Sequence, residues 1–593
     1  MLNTRKLNYL LIGLIASSLC LAIASCGQQR SQKSAEYNQQ IFDVEEEMPE
    51  MEEADDMTME MQDKAFAPAK PSPPGKPKPT TTSSPTMNTM KKDMQQIGGA
   101  TKREHPSPNN SRTIPHDTPQ PDVPHNTEAY NSITENNFEE VTKSPLSTFS
   151  IDVDAASYSN ARRFINGGSL PPANAVRIEE FVNYFSYDYP QPTNQDPFSI
   201  NTEIAKCPWN QDHFLVHIGL QGKKIDFGQL PPNNLVFLLD VSGSMNAPNK
   251  LPLLKKAIKM LSDEMRPIDK VAIVVYAGAA GLVLPPTPFS QKETILAAIN
   301  KLNAGGSTAG GEGIELAYKV AQNNFIKNGN NRIILATDGD FNIGSSSDAD
   351  MVKLIEEKRK SGVYLTVLGF GMGNYKDSKM ELLADKGNGN YAYIDSELEA
   401  KKVLVNEIGA TLYTIAKDVK IQVEFNPAKI KAYRLIGYEN RKLAARDFND
   451  DTKDAGELGS GHTVTALYEL IPAGSKETVG SVDDYKYQST TVNKDAINSN
   501  ELMTIKFRYK PPKSDKSLLI THPVKNEKIG TTSNNFDFSA AVAAFGMLLR
   551  NSQHKGTSDY KLVKQLAQKS LGKDTEGYRK AFIELVNKAE KLK

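Results

Sequence analysis

From Asn233 onward the chain alternates short apolar segments with longer amphipathic ones, and this alternation constrains the fold more than any other feature. The apolar segments are LVFLLD (235–240), KVAIVVYA (270–277), RIILATDGD (332–340), VYLTVLGFG (363–371) and NYAYID (390–395). Segments that are apolar on both faces predict strands buried on both sides, and helical segments between them predict parallel crossovers. The last of these helices is predicted over 398–416. The sequence therefore predicts an α/β fold with a doubly wound, mostly parallel sheet at 233–416.

Segments in which apolar and polar residues alternate lie on both sides of this region. They are FSINTEIAKCPWN (198–210), HFLVHIGLQGKKI (213–225), VKIQVEFN (419–426), KAYRLIGY (431–438), TVTALYELIP (463–472) and ELMTIKFRYK (501–510). A period of two predicts half-buried strands. We therefore expect an N-terminal α+β flanking domain at 144–232 and a C-terminal domain at 417–593 that is β-rich and then helical. Because neither flank has enough strands for a stable core, we expect the two to pack together.

The first 25 residues have the layout of an export signal. Basic residues precede an apolar stretch, Leu7–Ala24, and the sequence IASC ends at Cys26. This layout resembles the signal peptide and lipobox of bacterial lipoproteins, which implies cleavage before Cys26 and lipidation of its thiol. An ordinary signal peptide or membrane anchor is the alternative. By analogy with Gram-negative sorting, Gly27 after the cysteine favours the outer membrane.

Residues 26–143 show no apolar periodicity. An acidic, methionine-rich run at 43–63 is followed by a proline-rich run at 68–86. Such compositions predict a disordered tether, since they offer too little apolar surface to form a core. The tether would hold the folded part of the chain away from the membrane.

Charge and cysteine content exclude several classes of function. The formal net charge is −1, and no basic stripe with interleaved aromatic residues is present, so nucleic acid is not expected as a partner. Of the three cysteines, Cys20 leaves with the signal peptide and Cys26 would carry lipid. Because only Cys207 remains, no internal disulfide and no cysteine-ligated zinc site is expected.

Oxygen-bearing side chains follow two of the predicted strands and one glycine-rich loop. They are Asp240, Ser242 and Ser244 in DVSGS, Thr308 in the loop AGGSTAGGEG (304–313), and Asp338 in TDG. Ligands of open parallel sheets sit beyond the carboxyl ends of the strands, so we expect these side chains to meet there. A donor set made only of carboxylates and hydroxyls suits a hard cation and does not suit zinc.

The combination of D-x-S-x-S, a loop threonine and T-D-G resembles the metal-ion-dependent adhesion site of von Willebrand factor type A domains. The resemblance implies that Ser242, Ser244 and Thr308 bind the ion directly. It implies that Asp240 and Asp338 bind directly or through water. The expected ion is Mg²⁺, with Ca²⁺ and Mn²⁺ as alternatives. The flanks are also similar to those of the bacterial YfbK-like exported proteins.

These features together predict a binding protein rather than an enzyme. Neutral hydroxyls leave the charge of the ion poorly offset and a coordination position open, which a carboxylate from a protein partner can fill. We expect a lipid-anchored envelope protein, in the outer membrane and facing the periplasm or the exterior. It would act in adhesion or in the assembly of envelope complexes.

Two other functions are compatible with the sequence. FSIDVDAAS (149–157) would allow a metal-dependent phosphatase with Asp152 as nucleophile and Asp154 as acid/base. Asp154 could instead cap the following helix. Alternatively, the metal could serve only to stabilise a structural scaffold. The histidines in strand-like segments, such as His217, are expected to be surface or hydrogen-bonded core residues.

Overall fold

The structure, a computed structural model, describes residues 128–151, 154–306, 310–339, 341, 348–373, 375–480, 483, 486–487, 491–526 and 532–593. The predicted signal peptide and most of the predicted tether lie outside these residues. So do three residues to which the sequence analysis gave a lipid, catalytic or metal-binding role, namely Cys26, Asp152 and Thr308.

The strands of the described part of the chain follow in order. They are β1 (Glu139–Glu140), β2 (Leu146–Ser150), β3 (Phe198–Cys207), β4 (Asn210–Gly222), β5 (Asn233–Asp240), β6 (Lys270–Tyr276), β7 (Ala280–Pro288), β8 (Asn330–Thr337), β9 (Val363–Phe370), β10 (Tyr391–Ile394), β11 (Thr414–Phe425), β12 (Ile430–Ile436), β13 (Gly456–Gly459), β14 (Thr463–Pro472), β15 (Glu501–Lys510) and β16 (Leu518–Lys525).

The α-helices of the same residues are numbered separately. They are α1 (Ala156–Asn166), α2 (Ile178–Asn183), α3 (Leu251–Glu264), α4 (Lys292–Asn300), α5 (Gly310–Asn323), α6 (Asp348–Arg359), α7 (Asp377–Lys386), α8 (Glu397–Lys401), α9 (Ile408–Leu412), α10 (Lys494–Asn498), α11 (Asn534–Arg550), α12 (Tyr560–Lys569) and α13 (Tyr578–Lys591).

The central sheet has the strand order β10-β9-β8-β5-β6-β7. Its strands are parallel, except that β7 runs antiparallel to β6 at one edge. Along β5, Leu235, Phe237 and Leu239 pack with α3 and α4, whereas Val236 and Leu238 pack with α5, α6 and α7. The predicted doubly wound, mostly parallel sheet is therefore confirmed, with helices on both faces.

Two elements of this region differ from the sequence prediction. Strand β7 was not predicted; its prolines are tolerated because it lies at the edge of the sheet. The helix predicted over 398–416 is wrong at its C-terminal end. A π-helical turn at Lys402–Asn406 separates α8 from α9, which ends at Leu412, and the β-branched Thr414 and Ile415 begin β11 instead.

Two further sheets combine strands from both flanks of the central region. One has the order β1-β12-β14-β4-β3, and the other has the order β13-β11-β15-β16 with β2 paired to β11. Apolar side chains of both sheets, among them Val216 in β4 and Ile505 in β15, form one core between them. Helices α1, α2 and α11–α13 share a second core with Leu215 and Leu467 on the other face of the first sheet. The regions 144–232 and 417–593 thus form a sandwich together.

Residues 128–143, which the sequence placed in the tether, lie against this folded part. Glu139 and Glu140 pair with β12, and the carboxylate of Glu128 accepts hydrogen bonds from Arg163 at 2.8 and 2.9 Å. The segment is held by backbone pairing and ionic contacts, so apolar periodicity could not reveal it. Across the described residues, no helix combines the length and hydropathy needed to cross a bilayer.

Buried ion pairs join the central region to the flanks. The guanidinium of Arg177, just before α2, donates two hydrogen bonds to Asp377 at the start of α7 and one to Glu180. Arg162 in α1 likewise donates to Glu399 in α8, with Nη2–Oε2 at 2.7 Å. Buried charges of this kind are stable only when paired, so these contacts fix how the layers meet.

We predict that Arg177→Met lowers the free energy of unfolding by about 3–5 kcal/mol, because it leaves Asp377 and Glu180 buried without their cation. Chemical denaturation of the purified protein would measure the change. Lys256→Met, which breaks an exposed pair with Glu397, is the matched control and should cost less than about 1 kcal/mol. Equal effects of the two variants would contradict the structural role of Arg177.

His217 in β4 is a buried, hydrogen-bonded core residue, as expected from its position in a strand-like segment. Its Nε2 lies 2.5 Å from the hydroxyl of Tyr189, and its Nδ1 lies 2.9 Å from the hydroxyl of Ser539. Burial disfavours the imidazolium and lowers the pKa of His217 to about 3. The folded protein therefore holds this ring neutral at pH values where the unfolded chain protonates it.

We predict that this histidine makes the protein acid-sensitive. Below the unfolded pKa of about 6.5, the unfolded state binds a proton that the folded state does not, so this group lowers the free energy of unfolding by about 1.5 kcal/mol between pH 6.5 and 5. Unfolding free energies measured across this range in wild type and His217→Gln would show a shallower slope in the variant. Parallel slopes would show that His217 is not the group responsible.

Candidate metal site at the edge of the central sheet

The DVSGS segment forms a tight turn at the carboxyl end of β5. The backbone N–H of Ser242 donates to Asp240 Oδ1 at 2.9 Å, and the hydroxyl oxygens of Ser242 and Ser244 lie 3.0 Å apart. A 3₁₀ turn at Gly243–Asn246 follows, anchored by the buried side chain of Met245. Asp240 and Ser242 are buried, whereas Ser244 is exposed, so the turn carries oxygens from the interior to the surface.

The glycine-rich loop lies against this turn. The N–H of Gly243 donates to the carbonyl of Gly306 at 3.1 Å, and the N–H of Gly305 donates to the carbonyl of Val241 at 2.8 Å. Gly306 has a φ of +85°, a conformation that favours glycine. These bonds hold the loop at the turn as far as Gly306. Thr308, two residues further on, is the one predicted ligand that lies outside the described residues.

Asp338 follows β8, the strand next to β5, and lies at the same edge of the sheet. Leu239 pairs with Ala336 in this parallel ladder, so the two strands end side by side. The Asp338 side chain is fully buried, and the ammonium of Lys250 donates to its Oδ2 at 2.8 Å. The structure thus brings four of the five predicted ligand residues to one edge, namely Asp240, Ser242, Ser244 and Asp338.

Burial dominates the electrostatics of this edge. Burial raises the pKa of Asp240 to about 6, against the hydrogen bonds that it accepts from Ser242, and the negative charge of Asp338 adds to the increase. The hydroxyl of Tyr276 also donates to Asp240 Oδ2, at 3.2 Å. Among the described residues, Lys250 pairs with Asp338, whereas Asp240 accepts its hydrogen bonds from neutral groups, so an added cation at this edge would be favoured.

The residues present fit a hard dication. The donors are two carboxylates and two hydroxyls without sulfur or imidazole, which is the set preferred by Mg²⁺, Ca²⁺ or Mn²⁺. In the described residues, no group of three or more His, Cys, Asp or Glu side chains is arranged to hold a metal ion. Any ion at this edge would therefore depend on the serine hydroxyls as well as on the carboxylates.

Three residues of the site were missed by the sequence analysis. Tyr276 could have been found, because it is a polar residue at the carboxyl end of β6, next to β5. Thr337 immediately precedes Asp338, and its hydroxyl lies 3.5 Å from Asp240 Oδ2. Lys250 gave no signal, because it precedes an amphipathic helix that carries three further lysines.

The structure assigns Asp154 to the junction between layers. Its Oδ1 accepts a hydrogen bond from the backbone N–H of Tyr391 at 2.8 Å, and its Oδ2 lies 3.3 Å from the guanidinium of Arg441. The expectation that Asp154 caps the following helix is wrong, because Ala155 is the N-cap of α1. With Asp152 outside the described residues, the phosphatase alternative gains no support from the structure.

Comparison with known proteins agrees with this architecture. Residues 234–407 match the profile of the von Willebrand factor type A domain, and residues 124–217 match a profile described as von Willebrand factor. This is a protein built around a von Willebrand factor type A domain.

Residues 410–592 match the profile "Uncharacterized protein YfbK, C-terminal". "Uncharacterized protein YfbK" of Escherichia coli is 43% identical over 471 residues, which are 78% of this chain and 81% of the relative. The chain therefore belongs to the YfbK family.

Other similarities are shorter or more distant. A UPF0353 protein of Mycolicibacterium vanbaalenii is 32% identical over 157 residues, 24% of this chain and 46% of the relative. Among solved structures, the von Willebrand factor type A protein of Catenulispora acidiphila aligns with 65% of this chain and 90% of its own, at 15% identity and a TM-score of 0.36.

We predict that Asp240→Asn stabilises the protein when divalent cations are removed. At pH 7 the buried carboxylate is charged although burial favours its protonated form, so its neutral replacement should raise the free energy of unfolding by about 1–2 kcal/mol. The gain should be full above pH 6 and vanish below about pH 4, where the carboxyl is protonated in both folded and unfolded chains.

Chemical denaturation in the presence of a chelator would measure this gain. Ser244→Ala is the matched control, since it changes an exposed hydroxyl without changing charge and should stay within about 0.5 kcal/mol of wild type. Destabilisation by Asp240→Asn at pH 7 would show that the carboxylate is already compensated in the metal-free protein.

Proposed function

We propose that this protein is a binding module whose von Willebrand factor type A domain captures a protein partner through a divalent cation. The observation that carries the proposal is the edge of the central sheet. There the buried carboxylates of Asp240 and Asp338, at the ends of two adjacent strands, share one edge of the sheet with Ser242 and with the exposed Ser244. An ion held at this edge would be reachable from outside.

The residues of the site would hold the ion and also leave one side of it accessible to a partner. Asp240 is held in place by the Ser242 N–H on Oδ1 and by the Tyr276 hydroxyl on Oδ2. Ser242 and Ser244, together with Thr308, would contribute neutral oxygens. When bound, the ion supplies an electrophilic position that a carboxylate of the partner completes. Mg²⁺ is the proposed ion, with Ca²⁺ and Mn²⁺ as alternatives.

The N-terminal sequence is the basis for the cellular location that we propose. We propose that the chain is anchored by lipid at Cys26, in the outer membrane, and that the tether carries the folded part toward its partner. In this setting the protein would act in adhesion or in the assembly of envelope complexes. A partner that donates a carboxylate to the ion would be an acidic surface of another protein.

Titration calorimetry of the purified protein with MgCl₂ tests the metal site. We expect binding by wild type and at least a hundredfold loss in Asp240→Ala, because a buried anionic ligand is removed. Asp263→Ala in the exposed part of α3 is the matched control and should bind like wild type. Wild type without measurable affinity for Mg²⁺, Ca²⁺ or Mn²⁺ would refute the proposal.

Capture from envelope extract, with and without chelator, separates binding from scaffolding. A partner retained by wild type with Mg²⁺, and lost both on chelation and in Asp240→Ala, supports the binding module. If chelation lowers the melting temperature but leaves capture unchanged, the ion serves the structural role that the sequence left open.

A further inference from the structure

We propose that Lys250 is an internal counter-cation that competes with the divalent ion for Asp338 and thereby sets the metal affinity of the site. This inference rests on the proposed metal site. Lys250 is the residue immediately before α3, and its side chain is buried, with 7% of the residue exposed. Its ammonium donates to Oδ2 of a carboxylate that is itself fully buried.

A glycine after β9 leaves room for the side chain of Lys250. Gly371, directly after β9, has a φ of +77°, and the stem of Lys250 crosses over it. A Cβ at Gly371 would lie 2.1 Å from Cε of the lysine and 2.9 Å from its Cδ. A side chain at this position would push the lysine away. The glycine therefore keeps the path open along which the ammonium reaches Asp338.

The Lys250 ammonium and a divalent ion would compete for the carboxylate of Asp338. The lysine holds one of the two carboxylate oxygens of Asp338, and its positive charge would repel a dication at close range. In the metal-free protein, Lys250 offsets one of the two buried negative charges, so the edge tolerates loss of the ion. In the loaded protein, the retained lysine adds positive charge beside the ion. Lys250 thus weakens metal binding and favours an anionic partner.

The test compares Lys250→Met with wild type by calorimetric titration with MgCl₂. Methionine keeps an unbranched stem over Gly371 but removes the charge. We expect Mg²⁺ to bind about tenfold more tightly, as removal of one nearby like charge predicts. Lys259→Met, on the exposed face of α3, removes the same charge away from the site and should change affinity less than twofold.

A second readout and a second variant guard against a folding defect. Metal that binds only the folded state raises the melting temperature, and this increase should be larger in Lys250→Met than in wild type. Lys250→Gln keeps a hydrogen-bond donor without the charge and should give the same gain. Unchanged or weaker Mg²⁺ binding in both variants, with wild type binding normally, overturns the role of Lys250 alone. Failure of wild type and both variants to bind overturns the proposed metal site as well.

Discussion

The burial of β5 on both faces is the constraint on which the rest of the structure depends. Its alternating side chains belong to two separate cores, so the strand can neither shift its register nor turn over. Because β5 and β8 are locked in parallel register, Asp240 and Asp338 end at the same edge. The site is thus a consequence of packing. Apolar residues along the strands determine where the polar residues at their ends meet.

Buried ion pairs at the borders between the layers are a second constraint on the structure. Arg177, Arg162 and Arg441 each reach carboxylates of the central region, and these pairs orient the sandwich and helices against it. At the candidate site, among the described residues, Lys250 forms an ion pair with Asp338, whereas Asp240 accepts hydrogen bonds from the neutral Ser242 N–H and Tyr276 hydroxyl. A deficit of positive charge is costly in a structural core but suits a site that takes up a cation.

The fold of the central region could be predicted from sequence because its parallel strands are largely apolar, whereas the proline-containing edge strand β7 was missed. Four site residues, Asp240, Ser242, Ser244 and Asp338, could be placed for the same reason, since they directly follow predicted strands. Lys250 could not, because a lysine before an amphipathic helix usually faces water. The end of the helix predicted over 398–416 failed because pairing with β13 drew Thr414 into a strand.

By itself, the sequence determined the α/β class, the parallel sheet and the residues that supply oxygen at its edge, since these follow from local periodicity and strand ends. Only the tertiary structure decided that the two flanks share their sheets, that Glu128 and β1 lie against the folded part, and that Lys250 faces Asp338. Those contacts join residues far apart in the chain. They depend on strand pairing and buried charge, which no local pattern encodes.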